Sequence, residues 1–163
     1  MGFFRKTKPE TAAPAVLTAC TAGRTVPMED IPDAVFSQGI LGRCIGIDPV
    51  DGRICAPADG RITQCTETRH AIGMQTDSGA EVLIHVGIDT VEMAGEGFTL
   101  FVEPGQQVQQ GQLLLTADPV RIREAGHPAV TVIAVTNSED FSAAVPLAQG
   151  EIHTGDPLME LRK

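Results

Sequence analysis

Tryptophan and tyrosine are missing from this sequence, and lysine occurs only at Lys6, Lys8 and Lys163. Aromatic residues make up 4% of the chain while it carries 17 glycines and 11 prolines, a profile of many short strands joined by tight turns and not of a helical bundle. Basic residues are scarce as well: 12 against 21 acidic ones leave a formal charge of −9. That balance argues against a nucleic-acid binder, which needs a basic stripe, and suits encounter with a basic protein partner. No stretch is long and apolar enough to cross a membrane as a helix. No phosphate loop of the G-x-x-x-x-G-K-[ST] type is present, so any phosphate chemistry must draw on a donor other than a bound nucleotide. Cys20, Cys44, Cys55 and Cys65 show no C-x-x-C spacing, which argues against a zinc cluster and for small buried thiols.

At 163 residues the chain is one ordinary domain, large enough to bury a core without metal or disulfide. Residues 1–13 are expected to form a flexible N-terminal tail and residues 14–163 the domain. Leu17-Thr18-Ala19-Cys20 superficially resembles a lipoprotein cleavage site, but Pro9, Glu10 and Pro14 interrupt the apolar stretch before it, so a cytoplasmic location is expected. Phe3, Phe4, Arg5, Lys6 and Lys8 suit the tail to weak contact with an anionic membrane.

Strand patterns occur at 15–19, 45–48, 61–68, 71–76, 81–86, 97–101, 112–116 and 129–135, with short helical turns at 32–38, 119–125 and 137–144. The expected fold is all-β, an antiparallel sandwich with a few helical turns. A weak repeat relates Gly105…Val108…Gly111-Gln112…Leu114 to Gly150…His153…Gly155-Asp156…Leu158. Such glycine-spaced units also occur in swinging-arm carrier domains. Those carriers need a lysine at a hairpin tip, and none is available between Lys8 and Lys163.

The most informative segment runs from Thr68-Arg69-His70 to Leu83-Ile84-His85-Val86-Gly87-Ile88-Asp89-Thr90-Val91. Asp77-Ser78-Gly79-Ala80 between the histidines is a strong turn signal. If Ser78-Gly79 is the turn, His85 faces Ile72, His70 faces Gly87, and the histidines are diagonal neighbours on one face, with Cβ atoms roughly 7–8 Å apart. Val82, Ile84 and Val86 then line the opposite, core face. An odd-length loop would send one ring to the other face. Paired imidazoles can bind a metal, exchange protons, or accept a phosphoryl group on one ring while the other steadies the added charge. His127 and His153 read as surface or turn residues.

Leu83 to Val91, Gly95-Glu96-Gly97-Phe98, Glu29 to Phe36, Ala56-Pro57-Ala58-Asp59-Gly60, Glu103 to Gln112 and Gly155-Asp156-Pro157-Leu158 together resemble, in order and spacing, the glucose-type enzyme IIA of the bacterial phosphoenolpyruvate:sugar phosphotransferase system. The resemblance covers nearly everything from about Pro14 to Leu161. It implies the duplicated hybrid type of β-sandwich. It also implies that His85 accepts phosphate on Nε2 from the phosphohistidine of HPr, the histidine-containing phosphocarrier protein, and passes it to a cysteine on the IIB domain of a sugar permease. On the same basis His70 donates to the phosphoryl oxygens, Thr68 orients His70, and the Gly87 carbonyl fixes the tautomer of His85. Asp89, and with it Asp33, borders the site to meet a basic partner. Phe36, Ile40, Leu41, Leu83 and Val91 are the candidates for an apolar docking patch. Position 66 is Thr where this family often has Phe, which thins that patch.

Two other classes compete. A zinc hydrolase would need a third protein ligand beside His70 and His85, with an open coordination position. None is credibly placed, so no cofactor and no metal is expected in the free protein, zinc entering only where a partner adds a carboxylate to the two histidines. A regulator that binds metabolic proteins according to phosphorylation state could coexist with the relay.

Overall fold

The computed structural model describes residues 15–163, so the expected tail and its membrane contact lie outside the described residues. Fourteen strands dominate the described residues. They are β1 (Ala15–Thr18), β2 (Gly23–Val26), β3 (Arg43–Pro49), β4 (Arg53–Cys55), β5 (Gly60–Cys65), β6 (Ala71–Thr76) and β7 (Glu81–Val86), followed by β8 (Phe98–Leu100), β9 (Gln107–Val108), β10 (Leu113–Ala117), β11 (Thr131–Val135), β12 (Ala143–Pro146), β13 (Glu151–Ile152) and β14 (Pro157–Arg162). Two short helices, α1 (Ala34–Ser37) and α2 (Pro119–Glu124), start at Asp33 and Asp118, whose carboxylates accept backbone N–H groups of the first turn. Among the described residues no helix is long and apolar enough to span a membrane.

An eight-stranded sheet runs in the order β13-β2-β3-β11-β7-β6-β5-β9, and two three-stranded sheets, β1-β14-β12 and β4-β10-β8, complete the architecture. Their strand pairs are antiparallel, as expected for an all-β sandwich. One face of the large sheet carries Ile45, Ile47, Ile72, Met74, Val82, Ile84, Val86, Ile133 and Val135 into the main core. Full burial of each large aliphatic side chain there contributes about 1.5–3 kcal/mol. The other face presents Cys44, Gly46, Ala71, Gly73, Leu83, His85, Val132 and Ala134. A second, smaller core forms on that face where Ile31 and Phe36 pack over Cys44, Val132 and Ala134. The small residues make this possible: a Cβ on Gly46 would come within 2.8 Å of Val130 Cγ2 and 3.4 Å of Ile31 Cγ1.

The glycine repeat marks a duplication deeper than its own length. Gly111 N donates to Ala56 O at 2.9 Å, and Gly155 N donates to Ala19 O at 3.0 Å. Ala56 N and Ala19 N return the bond to Gln112 O and Asp156 O, each at 2.8 Å. The partners of the repeat are therefore also related: Ala19…Gly23-Arg24 matches Ala56…Gly60-Arg61 in spacing. β9 and β13, the strands inside the two repeat units, sit at opposite ends of the large sheet.

Each expected strand window contains a strand, but β5 stops at Cys65 and the window 137–144 holds a 3-10 turn, Ser138–Asp140, followed by β12. β2, β4, β9, β12, β13 and β14 were not anticipated. At two to six residues, most are too short to show an alternating pattern.

Candidate functional site

The hairpin register departs from the expected one by a residue. His85 stands opposite Ala71, not Ile72, and Ile84 opposite Ile72. Asp77, Ser78 and Gly79 form a three-residue loop closed by Thr76 N to Ala80 O at 2.8 Å and Gly79 N to Thr76 O at 3.0 Å, with Gly79 at φ +93°. An odd loop shifts every pair by one. His70, one place before β6, backs onto Val86 through the 2.8 Å bond from Val86 N to His70 O. The rings nonetheless meet: the His70 and His85 centroids are 5.0 Å apart at an interplanar angle of 79°. β6 begins only at Ala71, so His70 lies outside the strand whose alternation would govern its face, next to Arg69 at a left-handed φ of 61°.

His85 projects from β7 beside Val132 and the second core, with the Phe36 ring edge-on at 5.2 Å. Its Nδ1 donates to Gly87 O at 2.8 Å. A carbonyl can only accept, so Nδ1 holds the proton and Nε2 keeps a free lone pair. Gly87 is placed by its own bonds: Gly87 N donates to Val130 O at 2.9 Å, and the Thr90 hydroxyl donates to Val86 O at 2.6 Å. Gly87 sits at φ +79°, and a Cβ there would collide with Thr90 Cγ2. Gly87→Ala should therefore lose about 1–3 kcal/mol from backbone strain alone, and more from the collision, read as a lower urea midpoint. It should also loosen the tautomer of His85.

Thr68 Oγ1 lies 2.7 Å from His70 Nδ1, the contact expected of an orienting hydroxyl. Neither Nε2 has a hydrogen-bond partner among the described residues. His70 is 7% exposed while His85 is half-buried, so only one ring of the pair offers much surface to a partner. Burial pushes the pKa of His70 down to about 4, with the neighbouring His85 adding to the effect. Burial also lowers that of His85, against the opposing pull of the Gly87 carbonyl and of Asp33 and Asp89. Both rings are therefore neutral at physiological pH. Since the unfolded chain protonates His70 near 6.5 and the folded protein only near 4, the unfolded state binds more protons in that window. Stability should fall as pH drops from about 6.5 to about 4, and His70→Gln should remove that part of the slope in urea unfolding followed across the window.

The acidic neighbours are where they were expected. Asp33 is half-buried at the start of α1, and Asp89 is exposed in a left-handed conformation at φ 57°. Both are close enough to act on His85 electrostatically. Of the docking candidates, Ile40 and Val91 are 65% and 54% exposed, whereas Leu41 and Leu83 are half-buried against the second core. Phe36 is buried and serves as a wall for His85 instead of an open contact. Val35 was missed; it precedes Phe36 on the same short helix, points about 100° away from it and is 41% exposed.

His127 Nε2 lies 3.9 Å from Glu92, and His153 Nδ1 lies 3.6 Å from Asp156. His85 and Asp89 do stand at H-x-x-x-D spacing. Even so, no group of three or more His, Cys, Asp or Glu able to hold a metal occurs among the described residues. All four cysteines are free thiols, and burial pushes Cys20 up to about 12 and Cys44 up to about 11. These are poor nucleophiles.

The model of the phosphoenolpyruvate-dependent sugar phosphotransferase system family EIIA 1 matches residues 15–141. A glucose-specific EIIA component of such a system from Halalkalibacterium halodurans is 39% identical over 157 residues, covering 95% of this chain and 91% of the relative. A beta-glucoside-specific EIIBCA component from Dickeya chrysanthemi is 44% identical over 140 residues, which is 86% of this chain but only 22% of that longer protein. Among solved structures, glucose permease IIA from Mycoplasma capricolum superposes with a TM-score of 0.80 at 28% identity, covering 93% of this chain and 97% of the other.

Proposed function

Because the chain belongs to the EIIA 1 family of the phosphoenolpyruvate-dependent sugar phosphotransferase system, we propose that it carries a phosphoryl group on His85 Nε2, between the phosphohistidine of HPr and a cysteine of a permease IIB domain. The observation that carries this reading is the 2.8 Å bond from His85 Nδ1 to Gly87 O beside a second, neutral imidazole. That bond leaves Nε2 as the only nucleophilic nitrogen of the ring.

In the first transfer the lone pair of His85 Nε2 attacks phosphorus in line with the donor's P–N bond. The new P–N bond forms as the old one breaks, and the donor imidazole, protonated on its other ring nitrogen, departs neutral with its electron pair. The positive charge that develops on the His85 ring is shared through Nδ1–H with the Gly87 carbonyl. His70 contributes Nε2–H to the phosphoryl oxygens, which requires Thr68 to donate its hydroxyl proton to Nδ1. In the second transfer a thiolate sulfur attacks phosphorus, the P–N bond breaks, and His85 leaves neutral. Asp33 and Asp89 repel the phosphoryl group, which favours its departure, and attract a basic partner. The exposed Val35, next to Phe36 on α1, together with Ile40 and Val91, offers apolar surface to a partner. No resident metal takes part; zinc would be held by His70 and His85 only with a carboxylate from a partner.

The test is incubation with enzyme I, HPr and labelled phosphoenolpyruvate. Acid-labile, alkali-stable label mapping to His85 and dischargeable by a IIB domain is the expected result. Label elsewhere, or none, overturns the reading.

A further inference from the structure

We propose that Thr66 is a positioning residue for this site: it clamps the loop that turns His70 off its strand and holds the ring against His85. The kinetic part of the argument rests on the relay reading above; the structural part does not.

The difficulty to be explained is geometric. Residues opposite one another in an antiparallel ladder share a face. β6 begins at Ala71 opposite His85, and extending the ladder by one residue sets His70 against Val86, which is 2% exposed in the main core. The His70 ring belongs by register on the core side, yet it lies 5.0 Å from the ring of His85 on the other face. Something must break the alternation between 70 and 71 and keep it broken. The loop that leads into His70 passes through Arg69 at φ 61°, a conformation that is costly for a residue with a side chain and so needs support from its neighbours.

Thr66 supplies the hold, and it spends every polar atom on the loop it begins. Its N–H donates to Ala71 O at 3.1 Å and its carbonyl accepts from Arg69 N at 3.0 Å. Its hydroxyl oxygen accepts from Ala71 N at 3.2 Å. Its single hydroxyl proton faces two acceptors at nearly equal distance, Ala71 O at 3.3 Å and His70 Nδ1 at 3.4 Å. Ala71 O already receives the Thr66 N–H, so the hydroxyl can turn toward the ring without leaving that carbonyl unpaired. With Nε2 protonated, Nδ1 presents a lone pair, and Thr68 at 2.7 Å and Thr66 at 3.4 Å are the two hydroxyls within reach to donate to it, Thr68 being the closer. The far end of the loop is also anchored: the Arg69 guanidinium packs over Gly95, where an added Cβ would come within 3.0 Å of Nη2.

The experiment compares Thr66→Val, which removes the hydroxyl at near-constant volume, with Thr66→Ser, which keeps it. Two readouts are followed. One is the set of ring-nitrogen NMR resonances of His70 in the unphosphorylated protein. The other is the rate of onward phosphoryl transfer from the phosphorylated protein to a IIB domain. Thr66→Val should shift the His70 nitrogens toward an averaged tautomer and slow onward transfer by about tenfold or more, the scale set by small misplacements of a reacting group. Thr66→Ser should restore both. If the valine variant does not fold, Thr66→Ala strips the hydroxyl without adding apolar bulk and is read in the same way. Wild-type resonances and a wild-type transfer rate in the variant lacking the hydroxyl, or failure of serine to rescue, overturn the proposal. Should the wild-type protein take up no phosphate at all, the relay reading falls, and the His70 resonances still decide the role of Thr66.

Discussion

A His85→Gln protein should take up no acid-labile phosphate from HPr, with incorporation falling to background and no residual transfer to a IIB domain. No other group can take over. His70, His127 and His153 are the remaining histidines, and the three differ in surroundings from the one whose Nδ1 is pinned to a backbone carbonyl. The His70 ring is buried, and in the arrangement proposed above Nδ1 accepts from the Thr68 hydroxyl, so Nε2 carries the proton and has no lone pair to offer. The cysteine thiols are shifted upward by burial. Glutamine is chosen because it is neutral, polar and close to histidine in size while lacking a nucleophilic ring nitrogen. A near-wild-type urea midpoint is the accompanying control. Stable labelling of this variant at any other side chain would end the assignment of His85.

His70→Gln should divide the two transfers, leaving acceptance from HPr measurable while onward transfer falls by about 10²–10³-fold, the usual effect of removing one donor aimed at developing charge. The asymmetry has an electrostatic origin. On acceptance the nucleophile is a neutral imidazole, and only the charge on the phosphoryl oxygens must be managed. On donation a thiolate approaches those same oxygens, so anion meets anion, and the His70 Nε2–H is the donor nearest to relieve it. Single-turnover rates measured separately for each step decide the matter. An equal loss in both would mean that His70 only shapes the site. The ring's low pKa bears on this division: at about 4 it is neutral at the pH of transfer, so it acts as a hydrogen-bond donor and not as a cation.

What was legible in the sequence is what depends on local chemistry. The turn at Asp77-Ser78-Gly79 needs a residue tolerant of φ +93° at its third position, and Gly79 meets that need wherever the hairpin packs. The caps of α1 and α2 are readable at Asp33 and Asp118 because a side chain two or three residues away satisfies them. The strands that carry the core, β6, β7 and β11, are long enough for their apolar residues to show. The run from Leu83 to Val91 also names its own chemistry, since the tautomer lock on His85 closes within three residues. The duplication was visible only in its glycine half. The matching Ala19…Gly23-Arg24 and Ala56…Gly60-Arg61 are common residue types whose kinship emerges when their carbonyls are seen accepting from the two repeat glycines.

The residue types of the site, the hairpin that carries them and the all-β class are all readable along the chain, because each rests on interactions within a few residues or on composition. Tertiary structure alone decided the register, the depth of each ring and which apolar residues remain open to a partner. An odd or even loop changes the face of every following side chain at almost no cost in local preference, so the sheet and its two cores must choose. Likewise Phe36 and Val35 are neighbours of similar hydrophobicity, and only the packing of α1 over Cys44 and Val132 makes one a wall of the site and the other a surface.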